Sequence, residues 1–433
     1  MLKPHENRTL MEVGPGTPMG ELLRRYWMPI APVAELDDQP TKAIRLFGED
    51  LVLYKDRSGT YGLIDRHCPH RRADMSYGFI EQCGLRCNYH GWLFDETGRC
   101  TEQPFEDIAH PDARFKDRVR IKAYRVEPKA GLLWAYLGPD PAPLVPTWEP
   151  FTWKNGFVQI VISEIPCNWF QCQENSIDPV HFEWLHTNWS RILRGQTDRP
   201  RPPTHLKIGF AEFEFGFTYR RILEGQSEDD ELWTVGRCCL WPNCLFTGGH
   251  FEWRVPVDDD TTLSVGWFFD RVPEEMEPFE QETIPYWYGP IRDEQTGRWI
   301  TSHVMNQDFV AWVGQGVVAD RTLEHLGESD RGVILMRRRL LEEAKVVASG
   351  GEPKGLIRDP EHNACVRLPI IDRERFTVGY SLEDVREGRV PPNVCPQSFI
   401  FQAGQPEEIT RAYRAAMGLD RLIEPSRANG PAR

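Results

Sequence analysis

Apolar and polar positions along this chain fall into three regimes. Between residues 43 and 54, and again over 61–65, they alternate in short runs. That pattern predicts a hairpin turning about Gly48-Glu49-Asp50, then a further strand. Residues 131–137, Gly-Leu-Leu-Trp-Ala-Tyr-Leu, form an unbroken apolar run of strand length, as a buried strand does. The proline-rich stretch 138–146 breaks regular structure and predicts a linker. Ahead of these strands, Thr17-Pro18 before Met-Gly-Glu-Leu-Leu predicts a capped short helix.

Beyond the linker, residues 156–164 predict a strand leading into Cys167-Asn-Trp-Phe and an aromatic helix. Segments 210–222, 233–242, 245–255 and 262–269 are strand-like and rich in aromatic residues, which suggests one large antiparallel sheet. Residues 273–282 read as an acidic surface loop. Residues 298–318 predict a helix, and Arg337-Arg338-Arg339 mark a basic one. Past about Ala348, proline, glycine and charge dominate with weak periodicity, and the last ten residues are expected to fray. No internal repeat is present. The expected organisation is a helical segment 1–27, a small all-β domain 28–140 and a larger domain 150–433 with helices over an antiparallel sheet: an α+β chain.

Composition narrows the picture. A chain of 433 residues can bury two or three domains. A net charge of −14 argues against nucleic acid or an anionic membrane as partner. No apolar run approaches a membrane span of about 18 residues, and the first residues lack the apolar core of a secretion signal. A cytoplasmic location is expected. Eleven cysteines, an odd number, do not describe a secreted disulfide framework, so Cys167, Cys172, Cys238, Cys239 and Cys244 are expected as buried thiols.

Candidate chemistry sits in two places. Cys68-Pro-His70-Arg71 is followed, with sixteen residues lying between His70 and Cys87, by Cys87-Asn-Tyr-His90-Gly91-Trp92. Two thiolates and two imidazoles are what a [2Fe–2S] cluster of the Rieske type requires, cysteines on one iron and histidines on the other. A Cys2His2 zinc site uses the same residue types, but it usually groups cysteines with cysteines. Further on, Asn175, Asp178 and His181 fall three apart, on one face if the stretch is helical. His186 lies about 140° further round at 3.6 residues per turn. Two imidazoles with a later carboxylate form the facial triad of non-haem iron(II) enzymes. A buried aromatic helix that carries two histidines satisfies the same pattern.

Taken together, the two motifs resemble the oxygenase components of Rieske non-haem iron ring-hydroxylating systems, in the family's order and spacing, from about Met11 to about Leu341. The opening Val13-Gly-Pro-Gly-Thr-Pro-Met-Gly-Glu-Leu-Leu-Arg-Arg-Tyr-Trp27 is similar to the phthalate dioxygenase branch, whose members use only α-type subunits. The run from Gln173 to His186 is more like that branch's dehydrodivanillate O-demethylases. Respiratory Rieske proteins carry a second cysteine in each loop, where this chain has Ala73 and Tyr89.

The resemblance implies a [2Fe–2S] cluster on Cys68, His70, Cys87 and His90, and Fe(II) on His181 and His186. The third ligand is implied to be Asp308, with Gln315 following it; Asp320 and Glu324 are the other candidates. It further implies that Asp178 bridges His90 and His181 between neighbouring subunits of a head-to-tail trimer, or a multiple of three, and that Asn175 sits near the iron. Arg237 and Arg254 are candidates for holding a carboxylate, though each fits a surface or sheet-edge position as well.

The implied activity is that of a terminal oxygenase. It uses O2 and electrons from a separate NAD(P)H-dependent reductase, with or without a ferredoxin, to O-demethylate or hydroxylate a small methoxylated or carboxylated aromatic. The chain has no Gly-rich dinucleotide fingerprint, which favours an external reductase. Ring cis-dihydroxylation of the phthalate or chlorobenzoate type uses the same residues and stays open. A Rieske electron carrier without oxygenase activity needs neither the residues beyond the linker nor the second motif.

Overall fold

In the computed structural model, residues 2–371 and 402–419 are described. The alternating N-terminal segments form a six-stranded antiparallel sheet. Its order is Met28–Pro32, Leu132–Tyr136, Ala123–Lys129, Tyr61–Asp65, Glu49–Lys55 and Thr41–Leu46. The hairpin turns earlier than the sequence suggests, because Phe47 and Gly48 take the two turn positions with φ of 49° and 75°. Two central residues at positive φ match the right-handed twist of the flanking strands. Glu49 is thereby freed to sit in the strand, where its carboxylate meets Arg24, Lys122 and Tyr124. A sheet of four very short strands, Phe79–Ile80, Leu85–Arg86, Leu93–Phe94 and Cys100–Glu102, covers one end.

The second large sheet has eight strands, in the order His205–Phe213, Gly216–Leu223, Arg237–Leu240, Cys244–Phe246, His250–Pro256, Thr262–Arg271, Gly156–Ile165 and Tyr286–Tyr288. All neighbours are antiparallel except the last pair. Segments 210–222 and 245–255, each read as one strand, are two hairpins. Phe213, Phe215 and Phe217 carry the alternation across the first turn, while the second turns at Thr247-Gly248-Gly249 inside an aromatic-rich run. The strand His250–Pro256 is buried on both faces, although His250, Glu252 and Arg254 alternate in sequence with Phe251, Trp253 and Val255. Trp134, Trp253, Phe251 and Trp267 pack it against the first sheet, with Trp134 and Trp253 ring centres 5.2 Å apart. Phe157, Phe268, Phe309 and Trp312 pack its other face under a helix.

That helix, Val304–Val313, is shorter than the predicted 298–318. His303 stands at its N-cap position in extended conformation, and Gly314 and Gly316 end it, with Gly316 at φ 98°. Thr17 caps Pro18–Leu23 through the Gly20 N–H, as predicted. This helix packs on the basic helix Arg331–Ala348. Late in the chain, where no helix was expected, Glu407–Ala416 buries Ile409 and Tyr413, the latter ring against Phe157 at 5.4 Å. The last ten residues, expected to fray, lie outside the described residues. Among the described residues no helix is long and apolar enough to cross a membrane.

Candidate functional site

The two Cys/His loops are conformational twins. In each, the cysteine N–H donates to the carbonyl five residues on (Ala73, Trp92), and its carbonyl accepts from the N–H four residues on (Arg72, Gly91). Both fourth residues are left-handed, Arg72 at φ 62° and Gly91 at φ 75°. The Cys68 and Cys87 side chains are buried and face each other, while His70 and His90 are exposed with ring centres 4.5 Å apart. Trp92 stacks on His70 at 4.3 Å. The facing Cys68 thiol lowers Cys87 to about 6, helped by the N–H groups of Tyr89 and His90, while Cys68 is raised. Backbone N–H groups aimed at sulfur favour thiolate, so the donor set fits an iron–sulfur cluster. All ten cysteines among the described residues are free.

The second motif does not lie on one helix. Trp169–Asn175, capped by Asn168, ends before Ile177, and Asp178-Pro179 breaks the chain. Phe182–Trp189 then continues as a π-helix, with His181 as its N-cap. In an α-helix His186 would point away from His181. The i→i+5 repeat of the π-helix brings both rings to one side, with centres 5.2 Å apart.

Asp308 reaches them from Val304–Val313. Its Oδ1 is 3.2 Å from His186 Nε2 and 3.8 Å from His181 Nε2, and it accepts from Asn175 Nδ2 at 3.1 Å. One ligand atom from each of His181, His186 and Asp308 falls within 4.8 Å of the others. Burial opposes charge on both His186 and Asp308. Their mutual attraction outweighs it, raising the imidazole and lowering the carboxyl. The site therefore favours a positive charge between them, and His186 Nε2 has no hydrogen-bond partner. These observations fit a divalent cation on a two-histidine, one-carboxylate set.

Asp178 divides its oxygens. Oδ1 accepts the Val180 N–H at 2.8 Å, while Oδ2 lies 3.7 Å from His181 Nδ1. Local capping and an approach to His181 thus coexist in one side chain. Asp320 and Glu324 are away from the triad: Asp320 is exposed and caps Thr322, and Glu324 binds Arg337. Gln315 is exposed and bonds the Ala311 carbonyl. The glutamine at the site is Gln307, whose Oε1 meets His186 Nδ1 at 3.1 Å while its Nε2 donates to Ser190 and Thr301. It stands beside Asp308 in Asn306-Gln307-Asp308, and adjacency in sequence was the only sign of it.

Glu174 is a further residue that the sequence did not single out. It is buried and binds Arg321 at 2.7 Å and Arg337 at 2.6 Å. The Asp320–Gly327 run and the basic helix converge on it, fixing the helix that carries Asn175.

A cavity of about 380 Å³ opens on the triad, within the usual range for a small ligand. Phe182, Leu223, Leu245 and Met305 supply apolar wall. Its acids are already engaged: Glu183 with His205, Glu252 with Arg254 and Ser264. Arg254 is fully buried and bound to Glu252, so it is neither a surface residue nor free for a ligand. Arg237 lines the cavity with Arg221, and both lie over the Phe182 ring, at 5.3 and 5.0 Å. Neither has a carboxylate partner among the described residues. Burial, with Arg237 beside it, lowers Arg221 to about 10.

Residues 26–112 match the model of the Rieske [2Fe-2S] domain, and residues 276–375 match the LigXa C-terminal domain. The chain is 59% identical, over 96% of its length and 97% of the relative's, to the 5,5'-dehydrodivanillate O-demethylase oxygenase subunit of a Sphingobium species. It is 32% identical to the phthalate 4,5-dioxygenase oxygenase subunit of Pseudomonas putida, over 81% of this chain and 88% of that one. Among solved structures, the oxygenase in a ferredoxin complex of carbazole 1,9a-dioxygenase shares the fold. Its TM-score is 0.54 at 18% identity, covering 81% of this chain and 98% of that one.

Proposed function

This chain belongs to the Rieske non-haem iron oxygenases, as an oxygenase component of the phthalate dioxygenase and dehydrodivanillate O-demethylase branch, and on that premise we propose that it O-demethylates a methoxylated aromatic acid. The observation that carries the reading is the His181–His186–Asp308 set at the wall of a cavity of aromatic size. The O-demethylase relative supports the reaction. The unpaired guanidiniums of Arg221 and Arg237 support an anionic substrate, since each can hold a carboxylate bidentately.

In this reading Cys68, Cys87, His70 and His90 hold the [2Fe–2S] cluster, and His181, His186 and Asp308 hold Fe(II). When bound, the cluster passes single electrons and the iron activates O2. Gln307 fixes the His186 ring through Nδ1, so that Nε2 is turned toward Asp308 and would be available to the metal, and Asn175 holds the Asp308 carboxylate. The protein orients the methyl group toward the iron. Overall, the methyl ether, O2, NAD(P)H and a proton give phenol, formaldehyde, water and NAD(P)+.

Asp178 bridges His181 to the neighbour's His90 in a head-to-tail trimer. Two unlike exposed apolar patches support this: Tyr89, Phe105, Ile108 and Phe115 around the cluster, and Trp184 and Leu193 beside the triad. A heterologous interface pairs unlike patches. A reductase, directly or through a ferredoxin, supplies the electrons, and its need for NAD(P)H supports a cytoplasmic setting. The cluster domain spans 28–140 and the catalytic domain 150–433.

The test is formaldehyde formed per NADH consumed, with methoxylated benzoates and biaryl acids and a surrogate reductase. A one-to-one yield is expected. A cis-diol from phthalate or chlorobenzoate, with no formaldehyde from any methoxyarene, would overturn the reading.

A further inference from the structure

The cavity wall holds a polar pair that the metal set does not use. Glu183 follows His181 by two residues on the same helix, and its side chain is 6% exposed. One carboxylate oxygen accepts the Thr204 N–H at 2.6 Å. The other accepts the His205 N–H at 3.2 Å and lies 2.5 Å from His205 Nδ1. The His205 side chain is 9% exposed, and both residues line the cavity. A carboxylate that receives the Nδ1 proton fixes the ring's tautomer and orientation. The other ring nitrogen, Nε2, is buried with no hydrogen-bond partner.

The cations Arg221 and Arg237 on the same cavity wall oppose a further positive charge there, and a ring that gives its single N–H to Glu183 from Nδ1 presents a lone pair at Nε2. That atom accepts a hydrogen bond and cannot give one. Its partner must carry a donor, so an ether oxygen or a carboxylate does not serve. The unpaired Arg221 and Arg237 on the same cavity oppose a cationic donor such as an ammonium group. A neutral hydroxyl remains. We propose that His205, held by Glu183, is a specificity-determining acceptor for a free aromatic hydroxyl. The substrate is then a methoxyarene that also carries a phenol, and its fully methylated counterpart is discriminated against. The ether half of this statement rests on the O-demethylation reading; the hydroxyl half rests on the geometry of the pair.

A site built around a substrate hydroxyl rejects the analogue that lacks it by large factors. The experiment uses the holoenzyme with cluster and iron loaded. Binding of vanillate and of its O-methyl ether, veratrate, is measured anaerobically by tryptophan fluorescence, without reductase. The wild type is expected to favour vanillate about 100-fold. His205→Phe should erase the preference while cluster absorption and iron content stay unchanged. His205→Gln, which returns an acceptor oxygen, should restore part of it, and it is the variant to read if the Phe side chain prevents loading. Glu183→Gln should weaken the preference by about tenfold.

Equal binding of the two ligands by the wild type would show that Nε2 serves only water and would sink the proposal. So would a preference that survives in both His205 variants. Turnover separates the two readings. A hydroxyl preference without formaldehyde leaves the His205 assignment standing and removes O-demethylation. Formaldehyde formed equally well from both ligands does the reverse.

Discussion

The Cys/His loops and the triad hold their side chains in opposite ways. Each loop closes on itself through hydrogen bonds four and five residues apart, and it holds its histidine out to solvent. The triad draws His181 and His186 from one helix and Asp308 from another more than a hundred residues later, with Asp308 buried and both histidines partly buried. Local closure tolerates exposure, because the loop geometry survives without cover. A set gathered from distant elements depends on what fixes those elements. Here that is the buried Glu174–Arg321–Arg337 network, together with Gln171, which bonds the Trp312 and Gly316 carbonyls. A cluster that must meet a partner needs the first design, and a site that must exclude water needs the second.

The sharpest break between the two regions should come from Cys68→Ser. It should remove the visible absorption and electron spin resonance signal of the cluster and all reductase-driven turnover, while iron at the triad persists. Loss of both metals would mean that the two regions are not independent. The mirror experiment is Asp308→Ala, which should lower triad iron affinity by more than about 100-fold and spare the cluster signal; Asp320→Ala should do neither. Metal analysis of the purified chains checks both.

Asp178→Asn tests the link between the regions. Both metals should stay and the cluster should still be reduced rapidly, with product formation down about 100-fold. Near-normal turnover would leave Asp178 only its bond to the Val180 N–H. The smallest effect expected is that of Gln307→Ala. It frees His186 Nδ1 and should weaken iron binding about tenfold, measured by chelator competition, with the fold intact.

The cluster loops were legible in the sequence because all their determinants sit within a few residues: cysteine, histidine and a left-handed fourth position. The two strands that split into hairpins were not: Phe213, Phe215 and Phe217 carry the alternation across one turn, and at the other Gly248-Gly249 is a local turn signal set within an aromatic-rich run. The relation of His181 to His186 was misread at 3.6 residues per turn, because nothing local announces a π-helix. Gln315 was paired with Asp308 where Gln307 stands in the structure, since spacing alone cannot say which amide faces a ring. Arg254 and Arg237 looked alike on strand-like segments, yet one is bound by Glu252 and the other lines the cavity without a carboxylate partner among the described residues.

By itself the sequence determined the family, the two donor sets by residue type, the all-β character of the first sheet and the antiparallel second sheet. Those follow from local spacing, from periodicity and from resemblance carried by short motifs. Only the tertiary structure decided that a π-turn aligns the histidines, that Asp308 rather than Asp320 meets them, and which arginines remain unpaired. It also decided that Glu183 leaves His205 Nε2 free in the cavity. Each of those depends on which side chain another segment brings within about 3–4 Å, where a hydrogen bond or ion pair is made or missed, and no pattern within one segment encodes that distance.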